Sequence, residues 1–134
     1  MADEAICIEA PKYLVRRTVS DSTAIAKGTL LKLADPNTAS AGTGSGEAFG
    51  GIAVAEKVIS DGITELSVAM SGVFDIKCNT TNGITCGVPV CLSGANMIRT
   101  AVAGDLLTGA VIGTAEETAS ASEVIRVRLG GFVS

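Results

Sequence analysis

Val124-Ile125-Arg126-Val127-Arg128-Leu129 alternates apolar and charged side chains. A strand points successive side chains to opposite faces, so Ile125, Val127 and Leu129 share one face while Arg126 and Arg128 share the other, with Val124 beside them. This is the pattern of a half-buried strand, and short stretches of the same kind recur along the chain. They predict strands at 5–8, 13–19, 29–33, 51–55, 65–70, 73–77, 88–92, 97–100 and 110–113 as well. Asn82-Gly83, between Lys77 and Val88, reads as the tight turn of a hairpin because both residues tolerate positive φ. Short strands with glycine-rich turns predict a mainly β fold, a sandwich or a small β-barrel.

Two kinds of segment break the pattern. Residues 37–46, Asn-Thr-Ala-Ser-Ala-Gly-Thr-Gly-Ser-Gly, read as a low-complexity mobile loop. Residues 101–107 and 116–121 fit short helical turns. No interior linker divides the chain, so the expectation is one domain over 20–134 after a flexible N-terminal arm and first strands in 1–19. An internal echo runs through that domain. Gly28-Thr-Leu-Leu-Lys-Leu33 resembles Gly87-Val-Pro-Val-Cys-Leu92, the segment from Gly51 to Glu56 parallels that from Gly109 to Glu116, and the segment from Glu65 to Phe74 parallels that from Val124 to Phe132. The common order and an offset near 60 residues predict two related β-units, at about 28–74 and 87–132.

Composition narrows the chemistry. Of 134 residues 47% are apolar but only 3% aromatic, with no Trp, so the core is aliphatic and built from small side chains. Ten Lys and Arg against 14 Asp and Glu leave a net charge of −4. Neither a basic face for phosphates nor aromatic platforms for bases is written here, which argues against nucleic acid as a partner. No apolar run reaches the ~20 residues of a membrane span, and Met1-Ala2-Asp3-Glu4 lacks the basic and apolar parts of a signal peptide. The absence of His removes imidazole bases, Ser–His and Cys–His pairs and His-ligated metals. Cys7, Cys78, Cys86 and Cys91 contain no C-x-x-C pair. Cys7 and Cys91 read as small apolar residues within strands, and Cys78 and Cys86 flank the expected hairpin.

Candidate chemistry is correspondingly thin. Gly42-Thr-Gly-Ser-Gly-Glu47 places Glu where a P-loop needs Lys and where a dinucleotide fingerprint needs its third glycine. The carboxylates are scattered, and Ser45 and Ser71 lack a nucleophile elbow. The reading is a non-enzyme with no catalytic residue, cofactor or metal site. Arg16 and Arg17, adjacent on a strand, point to opposite faces and leave one free to meet an acidic partner. The segment up to Val19 is the piece best suited to add itself to a partner's sheet edge.

The succession Ala26-Lys-Gly-Thr-Leu-Leu-Lys-Leu33, Gly51-Ile-Ala-Val-Ala55, Ser71-Gly-Val-Phe-Asp-Ile76 and Val124-Ile-Arg-Val-Arg-Leu129 resembles the head-decoration, or capsid cement, proteins of tailed bacteriophages. The resemblance covers roughly residues 13–129; the 37–46 loop and the four cysteines are not part of it. It implies a β-tulip-like small barrel on the capsid surface of the virion, made in the host cytoplasm. It further implies homotrimers at threefold sites that bind the major capsid protein of the expanded shell and hold it against internal DNA pressure. Its N-terminal arm would add β-structure to the capsid protein, which makes Ile6, Ile8, Arg16 and Arg17 the candidate capsid contacts. Two other classes fit the same residues: a tail- or fibre-associated β-domain, and a non-catalytic ligand-binding β-barrel.

Overall fold

The structure is a computed structural model that describes residues 3–12 and 14–130. Eleven strands and one short helix follow in order: β1 Ile6–Glu9, β2 Leu14–Thr18, β3 Leu30–Asp35, β4 Thr38–Ala41, β5 Phe49–Ala53, β6 Glu65–Ala69, β7 Gly72–Cys78, β8 Pro89–Leu92, β9 Met97–Thr100, α1 Ala103–Leu107, β10 Val111–Ala115 and β11 Val124–Leu129. The mainly β expectation holds, with α1 the single helical turn among the described residues. No helix there is long and apolar enough to cross a membrane.

The strands form two rings. In the first, β2-β4-β3-β5-β6 closes as a barrel, the closing pair being β2 with β4, parallel, at Thr18 and Thr38. In the second, β7-β11-β10-β8-β9 returns to β7 through a parallel pair, Lys77 with Met97. The rings repeat each other in register. Thr18 opposite Glu65 and Val15 opposite Val68 recur, 59 positions on, as Lys77 opposite Val124 and Phe74 opposite Val127. Even the bulge repeats: one residue is skipped between Phe49 and Gly51 in β5, and one between Val111 and Gly113 in β10. Left-handed backbone recurs at Gly28 and Gly87 (φ 91° and 92°) and at Asn37 and Asn96 (φ 53° and 55°).

The echo in the sequence is therefore structural, but its phase is earlier than expected. Each unit begins with the strand that closes its ring, so the units run from β2 to β6 and from β7 to β11, not over 28–74 and 87–132. The expected match at Gly131 and Phe132 lies outside the described residues. The 1–19 arm is likewise divided: β2 is a stave of the first barrel, and only β1 lies outside both rings, seated antiparallel on β7. Met1, Ala2 and Tyr13 lie outside the described residues.

Three local expectations give way for identifiable reasons. Residues 38–41, inside the expected loop, form β4, because the ladder to β3 and the pair with β2 at Thr38 override the weak strand preference of Ala and Ser. Asn82-Gly83 is no hairpin turn: β7 pairs with β1, β9 and β11, not with β8, and neither residue has positive φ. Gly83 instead admits a close backbone approach, since a Cβ there would stand 2.5 Å from the Ala119 carbonyl oxygen. Residues 116–121 hold no helix; Ala119 exchanges backbone hydrogen bonds with Ile84.

Side-chain alternation fills both barrels. Val19, Ile25, Leu31, Ala39, Ala53, Leu66 and Val68 pack inside the first. Their counterparts Cys78, Ile84, Val90, Ile98, Ala115, Ile125 and Val127 fill the second. Leu30, Ile52 and Ala69, pointing out of the first barrel, join the core of the second. The first barrel thus keeps an apolar cluster of its own, while the cluster of the second takes in side chains from both rings and joins them.

Candidate functional site

The residues singled out from sequence fall at the start of the chain. Ile6 and Ile8 lie on the exposed strand β1, Ile6 being 64% accessible. Arg16 points outward and meets Glu65 at 3.3 Å across an exposed ion pair. Arg17 points the other way and is held internally: its Nε donates to the Gly50 carbonyl at 3.3 Å and Nη1 to Asn37 Oδ1 at 3.1 Å. Its counterpart in the second barrel is the buried Ile76. β1 and β2 come together around a cleft of about 380 Å³ at the junction of the barrels, lined by Cys7, Pro11, Leu14, Ala53, Val54 and Phe74. Cys7 is exposed there, contrary to its reading as a packed apolar residue, because β1 lies outside both cores. Cys91 is buried as expected, while Cys78 is buried and Cys86 exposed, all as free thiols.

A second locus has no sequence motif. The Lys57 side chain is wholly buried in the connection between β5 and β6. Its ammonium donates to Asp21 Oδ1 at 3.1 Å, Asp61 Oδ1 at 3.0 Å, and the carbonyls of Asp21 and Val58 at 3.2 and 3.1 Å. Burial alone lowers the Lys57 pKa, but the bonds to Asp61 and Asp21 outweigh it and raise the pKa. The backbone amide of Ile63, and then Lys57, hold Asp61 down to about 2. This clamp braces a loop that displays Val58, Ile59 and Ile63, each exposed. The counterpart of Lys57 in the second barrel is Ala119.

The sign of the pH effect follows. A carboxylate whose pKa is lower folded than unfolded stabilises above its unfolded value, 3.8 for Asp61, and that contribution fades as pH falls toward 2. Lys57→Met leaves two carboxylates facing each other without their cation. The variant is expected to melt lower than the parent at pH 7, with the deficit narrowing as the pH is taken from 4 to 2. Thermal melts across that range check it; a deficit that is constant with pH contradicts the clamp.

The third locus is the connection that carries α1. Asp105 accepts from Arg99 Nη1 at 3.0 Å, Arg99 Nη2 at 3.2 Å and the Val102 amide at 2.8 Å. The Arg99 bond, then the Val102 amide, hold its carboxyl below the usual range. The Cys91 thiol, 3.6 Å from Asp105 Oδ2, is pushed up to about 11 chiefly by burial, so it stays protonated and unreactive at neutral pH. Arg99 Nε also donates to Ser45 Oγ at 2.7 Å, tying the loop between β4 and β5 to the second barrel. On this braced segment Val102 and Leu107 stand exposed, at 64% and 89%.

Set against the internal repeat, these last two loci coincide with its departures. Residues 54–64 make a longer connection than 116–123, and residues 101–110 a longer one than 42–48. Five of the large exposed apolar side chains, Val58, Ile59, Ile63, Val102 and Leu107, lie on those two longer connections. No family model and no curated protein matches the chain. No group of three or more acidic or cysteine side chains is placed to hold a metal ion among the described residues.

Sequence reading placed a helical turn at 101–107, where α1 lies, but missed the 54–64 connection and the exposed apolar side chains on both. Isolated Val or Ile in a loop carries no periodicity, and Lys57 meets Asp21 only through the pairing of Ile25 with Lys57. The one available signal was the unequal spacing of the repeated segments.

Proposed function

We propose that this protein is a structural module of a tailed-phage particle, a head-decoration protein that binds the outside of the expanded shell as trimers at threefold sites. The observation that carries the reading is the pair of braced connections that display Val58, Ile59, Ile63, Val102 and Leu107 beyond what either barrel core requires. Exposed apolar side chains on rigid supports are suited to burial against a protein surface, since little conformational entropy is lost when they dock. The barrel interiors are filled by their own side chains, which favours this reading over a ligand-binding barrel. Repetition over a shell then turns modest single contacts into a strong total.

The test is co-sedimentation with expanded and unexpanded shells of the parent phage. Saturable binding to expanded shells alone, in multiples of three per threefold site, is the expected result. Ile59→Asp or Leu107→Asp is expected to weaken it at least about tenfold, the loss from one apolar contact worth ~1.4 kcal/mol. Absence of binding to either shell overturns the reading and points to a tail or fibre role. Undiminished binding by both variants overturns the assigned surface.

A further inference from the structure

The internal repeat exposes one asymmetry that nothing in the fold demands. In the second barrel, the edge of β7 beside Val73, Phe74 and Asp75 is occupied by β1, with Ile6 opposite Asp75, Cys7 opposite Phe74 and Glu9 opposite Val73. β9 takes the rest of that edge at Lys77 and Cys78. In the first barrel, β4 meets β2 only at Thr18, the counterpart of Lys77. The counterparts of Val73, Phe74 and Asp75 are Leu14, Val15 and Arg16, and among the described residues no strand lies on that edge. Exposure reports the vacancy: Leu14 is 50% accessible, whereas Val73 is 5%. An open edge with an apolar side chain beside it is a template for strand addition.

Charge indicates what fits. β2 carries Arg16 and Arg17 where β7 carries Asp75 and Ile76, and residues 3–9 carry Asp3, Glu4 and Glu9 with no basic residue. On β7 the acidic segment lies against Asp75, and among the described residues its ion pair is with Lys77, 3.1 Å from Asp3. On β2 it would meet Arg16 instead. Edge-to-edge pairing of two β2 strands is disfavoured by the same arginines, which would face their own kind.

We propose that the edge of β2 at residues 14–16 is a strand-acceptor site whose occupant is the 3–9 segment of a second copy of this chain, added in the register that β1 takes on β7. Each chain offers one donor strand and two acceptor edges. The strand therefore partitions between its own β7 and a neighbour's β2, and exchange grows with chain concentration. The contact is head to tail, which lets copies close into a ring. The inference concerns copies in solution and does not rest on the shell reading.

Two chains, both Cys7→Ser and Cys86→Ser, test it when mixed: one with Ile6→Cys as donor, the other with Arg16→Cys as acceptor. On oxidation, a mixed disulfide dimer is expected several-fold above that given by a Ser22→Cys acceptor. Leu14→Pro in the acceptor removes an outward amide at a position where an edge strand tolerates proline, and should abolish the dimer. Excess synthetic peptide of residues 3–9 should suppress it in the unaltered acceptor, while a scrambled peptide should not, which keeps the test decisive if the proline variant fails to fold. Cross-linking at the Ser22→Cys level, or cross-linking indifferent to the peptide, overturns the proposal.

Discussion

Gly113→Ala is expected to destabilise the protein by about 3 kcal/mol or more, the upper end of what over-packing costs. A Cβ at this position would overlap the Arg128 carbonyl oxygen and stand 2.8 Å from that residue's carbonyl carbon and 2.9 Å from Leu129 Cα. These are backbone atoms of β11, so relief requires parting β10 from β11 at Gly113 and Leu129. Gly51 occupies the same bulge in the first barrel, with φ at +114°, and a Cβ there would lie 2.6 Å from Val68 Cγ2. Gly51→Ala therefore combines a strained backbone with a displaced core valine and should cost a comparable amount. Thermal unfolding checks both, with a fall in midpoint of roughly 10 °C each for a chain of this size. A near-neutral result at either position would mean that the bulge is not where the strand register places it.

Phe74→Ala is expected to cost about 3–5 kcal/mol, while Val15→Ala, its counterpart in the first barrel, should cost only ~1 kcal/mol. Phe74 is 3% accessible and packs within the shared core, whereas Val15 is half-buried beside the open edge of β2. The two residues hold the same strand position, and the gap between their losses combines the larger group removed at Phe74 with its fuller burial. Chemical denaturation of the two variants gives both values. A loss at Val15 as large as that at Phe74 would contradict the half-burial of Val15.

Much of this architecture is legible in the amino-acid order, and the remainder is hidden for physical reasons. Alternation marks β11 because its two faces meet different media, with Ile125, Val127 and Leu129 buried and the arginines outside. It fails for β5, which is buried at every position and shows no period. It fails also for β4, whose Thr38-Ala-Ser-Ala41 is too small to show which face is apolar. The repeat is visible in Gly28 and Gly87, two residues before β3 and β8, but its phase is not, because each unit opens on a strand whose closing partner is parallel and distant in sequence. Asn82-Gly83 has the composition of a hairpin turn, yet the chain there crosses to a strand that is not its neighbour. Of the site, the exposed β1 and the opposed directions of Arg16 and Arg17 were readable. The buried Lys57 and the apolar side chains it supports were not, since the pairing that brings Asp21 to Lys57 exists only in the folded chain.

The claim beneath all of this is that the chain is two copies of one five-stranded ring, each closed by a parallel pair. Cross-strand nuclear Overhauser contacts in the labelled protein test it most directly. Backbone contacts between Thr18 and Thr38, and equivalent ones between Lys77 and Met97, are the expected result. An antiparallel ladder joining residues 73–77 to 88–92 across Asn82-Gly83, with no contact between Lys77 and Met97, would contradict it.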